Sequence, residues 1–255
     1  MKIERIKIVK FCEEFLKTKD FKDYCFNGLQ VEGVPDVEKI ITGVSFSIKL
    51  IESAIKEEAE MIIVHHGLFS NQIGSPPQIK GAIKNRLKLL LENDINLCGF
   101  HLPLDAHPEI GNNISLLRLF GLKKVGVINS QSYGDIGFLG EFDNPVVFKS
   151  FVEIVNKKLN TKSYIIPGGS KMVKRIGIIS GGASHEYALA AELGADTYIC
   201  GDIQESIVRQ VEEVGINFIN AGHYNTEKLG IQNLGNLIAD KFDIKVEFVN
   251  IPCNV

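Results

Sequence analysis

The sequence predicts an α/β fold: two similar βαβ-containing lobes, each with a mixed sheet covered by helices. Three observations carry that expectation. From Lys39 onward, short apolar runs alternate with stretches whose apolar residues recur at helical spacing. The alternation occurs twice along the chain, and the second occurrence lines up with the first. The composition, 45% apolar and 23% charged, is that of an ordinary globular chain, and no apolar run reaches the ~18 residues of a membrane span.

The elements follow in order. Ile3, Ile6, Ile8, Val9, Phe11, Phe15 and Leu16 form one apolar stripe, which predicts a helix over 3–17. Asn27-Gly28 marks a turn before Leu29-Gln30-Val31. Strands are expected at 39–44, 61–64 and 96–100, with helices at 48–58 and 81–92 between them. The segment 126–174 is less regular. Gly134, Gly137 and Gly140 are spaced among apolar residues, Asp143-Asn144-Pro145 reads as a turn, 146–159 as a helix, and Pro167-Gly168-Gly169 as a loop. Strands are then expected at 175–179, 197–200, 216–220 and 245–249, and helices at 184–193, 203–214 and 224–241.

Setting 41–64 over 177–200 without a gap places Ala54 on Ala190 and Glu60 on Asp196. It also places Met61-Ile62-Ile63-Val64 on Thr197-Tyr198-Ile199-Cys200. This predicts a duplicated βαβ-type unit, with pseudo-repeated halves at about 1–125 and 126–255 of a single domain spanning 1–255. No Pro-, Gly- and Ser-rich linker separates them.

The function classes narrow by charge and cysteine usage. The 28 basic and 31 acidic side chains give a net charge of −3, which argues against a nucleic-acid binder. The N-terminal run Met1-Lys2-Ile3-Glu4-Arg5-Ile6-Lys7 has no apolar signal core, so the expected location is cytoplasmic. Cys12, Cys25, Cys98, Cys200 and Cys253 are widely spaced with no C-x-x-C pair, so they read as reduced structural thiols.

The histidines carry the chemistry, because they cluster at the ends of apolar strands. His65-His66-Gly67 follows Met61-Ile62-Ile63-Val64 at the carboxyl end, where open α/β sheets bind ligands. Adjacent strand residues point to opposite faces, so the two rings reach one region if the strand loosens at Gly67. His101-Leu102-Pro103-Leu104-Asp105-Ala106-His107 follows a second apolar strand, and Gly222-His223-Tyr224-Asn225-Thr226-Glu227 a third. His101 with Asp105, and His223 with Glu227, are spaced four apart, which places imidazole and carboxylate on one helix face. That pairing suits borderline divalent metals. The donors His65, His66, His101, Asp105, His223 and Glu227 exceed the four that one tetrahedral zinc takes. They fit two divalent ions bridged by Asp105 or Glu227, as in two-metal hydrolases.

Three further features are weighed. His107 falls outside the ligand pattern and is a candidate to orient a ligand or serve as a catalytic acid. Ser180-Gly181-Gly182-Ala183-Ser184 joins a strand to a helix. Gly181, Gly182 and Ser184 either contact a substrate phosphate or form a tight turn with Ser184 as N-cap. Asp202 closes a later strand and is a candidate contact for substrate or ligand.

Four segments together resemble the Nif-three-like dinuclear metal-centre family, whose members are often named as homologues of a type 2 GTP cyclohydrolase. They are Asn27-Gly28-Leu29-Gln30-Val31-Glu32-Gly33, His65-His66-Gly67, the run from His101 to Asn113, and Ala221-Gly222-His223-Tyr224-Asn225-Thr226-Glu227. The resemblance spans nearly the whole chain in the family's order. It implies two similar lobes with a dinuclear site between them, and a toroidal homohexamer. It implies His65, His66, Asp105, His223 and Glu227 as ligands, and His101 as a ligand or a neighbour of one. Longer members carry an inserted middle domain that 126–174 is too short to hold. Many members have Lys-Tyr-His where Gly201-Asp202 is here followed by Ile203-Gln204-Glu205-Ser206, as in a shorter bacterial-type branch.

The expected function is a metal-dependent hydrolase of a nucleotide-like or phosphorylated small molecule, by GTP ring opening or phosphoester hydrolysis. Zinc, iron, manganese and nickel all suit the donors. The alternative is a non-enzymatic metal-binding scaffold, metal chaperone or regulatory protein.

Overall fold

The computed structural model describes residues 2–70 and 78–253; Met1 of the charged N-terminal run lies outside them. In chain order the elements are β1 (Ile3–Glu4), α1 (Arg5–Phe15), β2 (Gly28–Val31), β3 (Asp36–Val37), β4 (Lys39–Ser45), α2 (Ile48–Lys56), β5 (Met61–His66), α3 (Gly81–Glu92), β6 (Asn96–Gly99), α4 (Leu102–Ala106) and α5 (Asn112–Leu119). Then follow β7 (Lys123–Ser130), β8 (Gly134–Val147), α6 (Phe148–Leu159), β9 (Tyr164–Pro167), β10 (Met172–Ile178), α7 (Tyr187–Glu192), β11 (Thr197–Cys200), α8 (Val208–Val214), β12 (Asn217–Asn220), α9 (His223–Phe242) and β13 (Lys245–Phe248).

The described residues divide into two compact units. The first takes those of Met1–Leu104 with Gly230–Ile251, and the second those of Asp105–Leu229 with Pro252–Val255. The first unit is built on a sheet ordered β13-β4-β5-β6-β2. β4, β5 and β6 run parallel, β13 adds a parallel strand beside β4, and β2 closes the other edge antiparallel. Met61, Ile62, Ile63 and Val64 are buried, as a parallel strand covered on both faces requires. α2 begins where Oγ of Ser47 accepts the Leu50 N–H, and it turns Leu50, Ile51 and Ala54 into the core. Burying a Leu or Ile side chain such as Leu50 or Ile51 contributes about 1.5–3 kcal/mol.

The second unit repeats the plan. Its sheet is ordered β7-β8-β10-β11-β12-β9, with β10, β11 and β12 parallel and β9 antiparallel at the edge beside β12. Its core includes Leu117, Phe151, Val155, Ile176, Ile199 and Ile219. In both units the chain passes strand, helix, strand, helix, strand, so the C-terminal ends of consecutive parallel strands lie side by side.

The structure corrects the expectations in several places. Asp143-Asn144-Pro145 is not a turn but lies within β8. Pairing with β7 ends at Lys123↔Glu141, and the β8–β10 register shifts between Val173 and Arg175. Pro145 therefore sits where the ladder is already interrupted, one of the settings in which a strand accommodates proline. Val146 and Val147 belong to the same strand, so the helix expected from 146 begins at Phe148. Ile3 and Glu4 pair with β3 before α1 begins. The helices expected from 184 and 203 open instead with 3-10 turns at Ser184–Glu186 and Glu205–Ile207. Ser184 is already inside the first of these turns, one residue too late to cap it, and Ala183 is the cap residue.

Candidate metal centre

In the first unit, β5 continues through both histidines. Ser45 pairs with His66 in the β4–β5 ladder, and Phe46 N–H donates to the His66 carbonyl at 2.9 Å. The strand stays regular through both histidines and ends only at Gly67, yet the two ring centroids stand only 4.6 Å apart. Each ring is anchored on a different neighbouring strand. His65 Nδ1 is 2.9 Å from the Phe100 carbonyl, beyond the end of β6, and His66 Nδ1 is 3.0 Å from Ser45 Oγ on β4. A carbonyl only accepts, so His65 carries its proton on Nδ1 and would offer Nε2 to a ligand. His101 immediately precedes α4, with its ring 5.0 Å from that of His65 and 5.6 Å from that of His66. Donor atoms of His65, His66 and His101 all lie within 4.8 Å of one another.

His101 rests on a residue that carries no sequence signal. The Asp23 carboxylate lies 2.9 and 3.2 Å from His101 Nδ1 and also accepts from Leu102 N–H, Cys25 N–H and Asn27 Nδ2. Burial is the largest influence on the Asp23 pKa and acts to raise it, but the hydrogen bond and charge of His101, with the Asn27 and Cys25 hydrogen bonds, together outweigh it, so the carboxyl lies below its ordinary value. Asp23, Cys25 and His101 form a further potential donor group.

The Asn27-Gly28-Leu29-Gln30 segment has a positional role around these rings. Asn27 Oδ1 accepts the His101 N–H at 2.7 Å. Gln30 Oε1 accepts the N–H groups of Leu68 at 2.6 Å and Phe69 at 3.2 Å, which fastens the turn after His66. A Cβ at Gly67 would collide with the Gln30 amide, so only glycine leaves room for that clamp.

In the second unit, α9 opens at His223, and Nε2 of His223 lies 3.1 Å from Oε2 of Glu227. Asp202 Oδ2 stands 3.6 Å from the other ring nitrogen. Burial acts to lower the His223 pKa, but the Glu227 and Asp202 carboxylates outweigh it and raise it to about 10. Glu227 is 3% exposed and Asp105 is 4% exposed. Asp105 Oδ1 accepts from Asn112 Nδ2 at 2.8 Å and Ser180 Oγ at 2.9 Å. Gly181, with φ +64, packs its Cα against the Glu227 carboxylate, and a Cβ there would overlap Oε1. Consecutive residues of one turn thus touch the two carboxylates, Ser180 at Asp105 and Gly181 at Glu227.

The remaining candidates are placed as follows. His107 Nδ1 receives the N–H groups of Glu109 at 3.2 Å and Ile110 at 3.3 Å, which ties that ring to the turn after α4. It belongs to none of the potential metal-donor groups among the described residues. Gly181 N–H is given to Thr226 Oγ1 at 3.0 Å. A Cβ on Gly182 would stand 3.2 Å from Asp202 Oδ2, and Ser184 is 1% exposed. Sequence reasoning missed Asp23 altogether, and it quoted Gln30 and Ser180 inside their motifs without giving either a role of its own. A lone polar residue in an apolar or loop segment is common without a role.

Two α/β units, each gathering imidazole or carboxylate donors at the carboxyl ends of its parallel strands, define a protein with the residues to bind divalent metals. The model of the Duf34/NIF3 (NGG1p interacting factor 3) family matches residues 1–254, and the chain belongs to that family. It is 40% identical over 250 residues to a Haemophilus influenzae protein named GTP cyclohydrolase 1 type 2 homolog, covering 98% of each chain. A protein of the same name from Escherichia coli K12 is 38% identical over 251 residues, covering 98% of this chain and 99% of the other. The fold matches the solved structure of protein ybgI, described as of unknown function, with a TM-score of 0.94 and 37% identity over 99% of this chain and 100% of that one. The crystal structure of TTHA1606 from Thermus thermophilus matches with a TM-score of 0.88 and 31% identity, over 99% and 100% of the respective chains.

Proposed function

We propose that the chain binds two divalent metal ions through His65, His66, His101, Asp105, His223 and Glu227 and acts as a metal-dependent hydrolase of a nucleotide-like or phosphorylated small molecule. The observation that carries this reading is the anchoring of the donors. Imidazole Nδ1 atoms are held by Phe100, Ser45 and Asp23, and the Asp105 carboxylate is held by Asn112 and Ser180. Such supports orient ligands before an ion arrives. Bound divalent ions would polarise a carbonyl or phosphoryl oxygen and lower the pKa of a water.

The protein's own residues have separable tasks in this reading. Asp105 or Glu227 would be the carboxylate shared by the ions and would offset their repulsion. The Gly181–Gly182 turn bounds the substrate's approach through its lack of side chains. Beside Gly222, the residue before His223, a polar cavity of about 510 Å³ is lined by Asn160, Thr161, Lys162, Tyr164, Asn220 and Asn225. Amides, a hydroxyl, an ammonium and an aromatic ring suit a polar, anionic ligand, and this cavity is the proposed seat of the substrate's non-reacting part. The relatives named as GTP cyclohydrolase homologues place ring opening of a guanine nucleotide first among the reactions to assay. The assembly proposed is a toroidal homohexamer.

The test is elemental analysis after loading, followed by a panel of nucleotides and phosphodiesters with and without the bound metal. Light scattering tests the hexamer. Metal-dependent turnover of one compound supports the enzyme. A second reading, a metal chaperone or regulatory scaffold, is favoured by one observation: among the described residues His107, the expected acid, belongs to none of the potential metal-donor groups. Full metal binding with no turnover across the panel would select that reading.

A further inference from the structure

Asp23 is a nearly buried carboxylate, with its side chain 2% exposed, yet it bears no relation in sequence to the strand-end histidines. Its two oxygens collect the His101 ring, the Leu102 and Cys25 N–H groups and the Asn27 amide. Asn27, itself hydrogen-bonded to Asp23 at 2.9 Å, also receives the His101 N–H at 2.7 Å. Two side chains therefore grip His101 at both its backbone and its ring. An ionised carboxylate has no proton to give, so Nδ1 of His101 must be the donor and Nε2 the nitrogen with the lone pair. The Tyr24 hydroxyl agrees with this assignment. It lies 3.4 Å from Nε2, with its ring edge-on to the imidazole at a centroid distance of 4.9 Å. The same protonation pattern is set for His65 by a backbone carbonyl.

We infer that Asp23 is a positioning residue that fixes His101 as the Nδ1–H tautomer and aims its Nε2 at the metal, making His101 a direct ligand. The inference rests on the proposed metal-binding reading and names a part of it that no motif residue supplies. It also gives Asn27, the residue before β2, a role beside His101. Second-layer carboxylates of this kind raise ligand basicity and change metal affinity by roughly 10–100-fold.

The test uses the full chain. Long-range ¹H–¹⁵N spectra of metal-depleted wild type at alkaline pH read the tautomer directly. The Nδ1–H form at His101 is expected, and the Nε2–H form overturns the inference. Zinc affinity is then measured by competition with a chromophoric chelator for wild type, Asp23→Asn and His101→Ala. The inference expects Asp23→Asn to shift His101 toward the other tautomer and to weaken zinc binding about 10–100-fold, with His101→Ala at least as weak. If Asp23→Asn binds like wild type while His101→Ala is weakened, Asp23 does not position the ligand, although the metal-binding reading stands. If His101→Ala itself binds zinc with wild-type affinity and stoichiometry, His101 is not a ligand. If wild type takes up no zinc, the metal-binding reading fails. Should Asp23→Asn not fold, the wild-type tautomer and the His101→Ala affinity still decide the matter.

Discussion

Nε2 of His223 lies 3.1 Å from Oε2 of Glu227, four residues further along the same helix, and Asp202 approaches the opposite ring nitrogen at 3.6 Å. Burial works against the imidazolium, and the two carboxylates outweigh it, raising the pKa to about 10. The folded value lies above the ~6.5 of an unfolded chain, so the pair's stabilisation of the metal-free protein is fully present below that pH. It is lost as pH rises through about 10. Thermal unfolding of chelator-treated protein should therefore show Tm falling across this window. Glu227→Gln should flatten the fall, and an identical pH profile in the two proteins would contradict the pairing.

The same proton bears on metal uptake. A ligating imidazole must be neutral, so loading at pH 8 displaces the His223 proton. An indicator titration in weak buffer should show proton release that is smaller by about one per chain in His223→Ala than in wild type. Equal release would mean that His223 is not a ligand or was not protonated.

The parallel strands of both sheets and most of their helices were legible because a buried strand and an amphipathic helix write different periods into the chain. The hairpin of β7 and β8 was not. Its exposed Lys123, Lys124 and Val125 break the alternation, and Pro145 imitates a turn. The candidate metal donors stood out in the sequence because they follow apolar strands in tight groups. Their supports did not: Asp23 meets His101 across 78 residues, and Ser180 meets Asp105 across 75. Nothing local to an aspartate or a serine announces a partner that distant.

Truncating the carboxylates tests the bridge. A group shared by two cations donates to both and offsets their repulsion, so Glu227→Ala or Asp105→Ala should lose both ions or nearly so. His65→Ala should lose mainly one. Circular dichroism should show all three folded, because a chain of this length buries enough apolar surface without metal. Retention of one full ion in each carboxylate variant would indicate two separate mononuclear centres.

Gly181→Ala tests the turn between the two carboxylates. At φ +64 an alanine is strained, and its Cβ would overlap the Glu227 carboxylate. The substitution should cost more than ~1 kcal/mol of stability and weaken metal binding by displacing Glu227. Chemical denaturation and chelator competition measure the two effects, and unchanged values in both would show that the turn yields.

Tyr24→Phe removes the hydroxyl beside His101 Nε2 while leaving the Asp23 clamp intact. An ion must displace that hydroxyl, so the variant should bind zinc equally or up to ~10-fold more tightly, the equivalent of one hydrogen bond. Chelator competition checks this, and marked weakening would make Tyr24 a positive contributor to the site.

The central claim is tested most directly by counting ions. Purified protein is loaded with excess zinc or manganese, freed of unbound metal, and analysed for metal against protein concentration. The account predicts two ions per chain at saturation; one ion or fewer would contradict it.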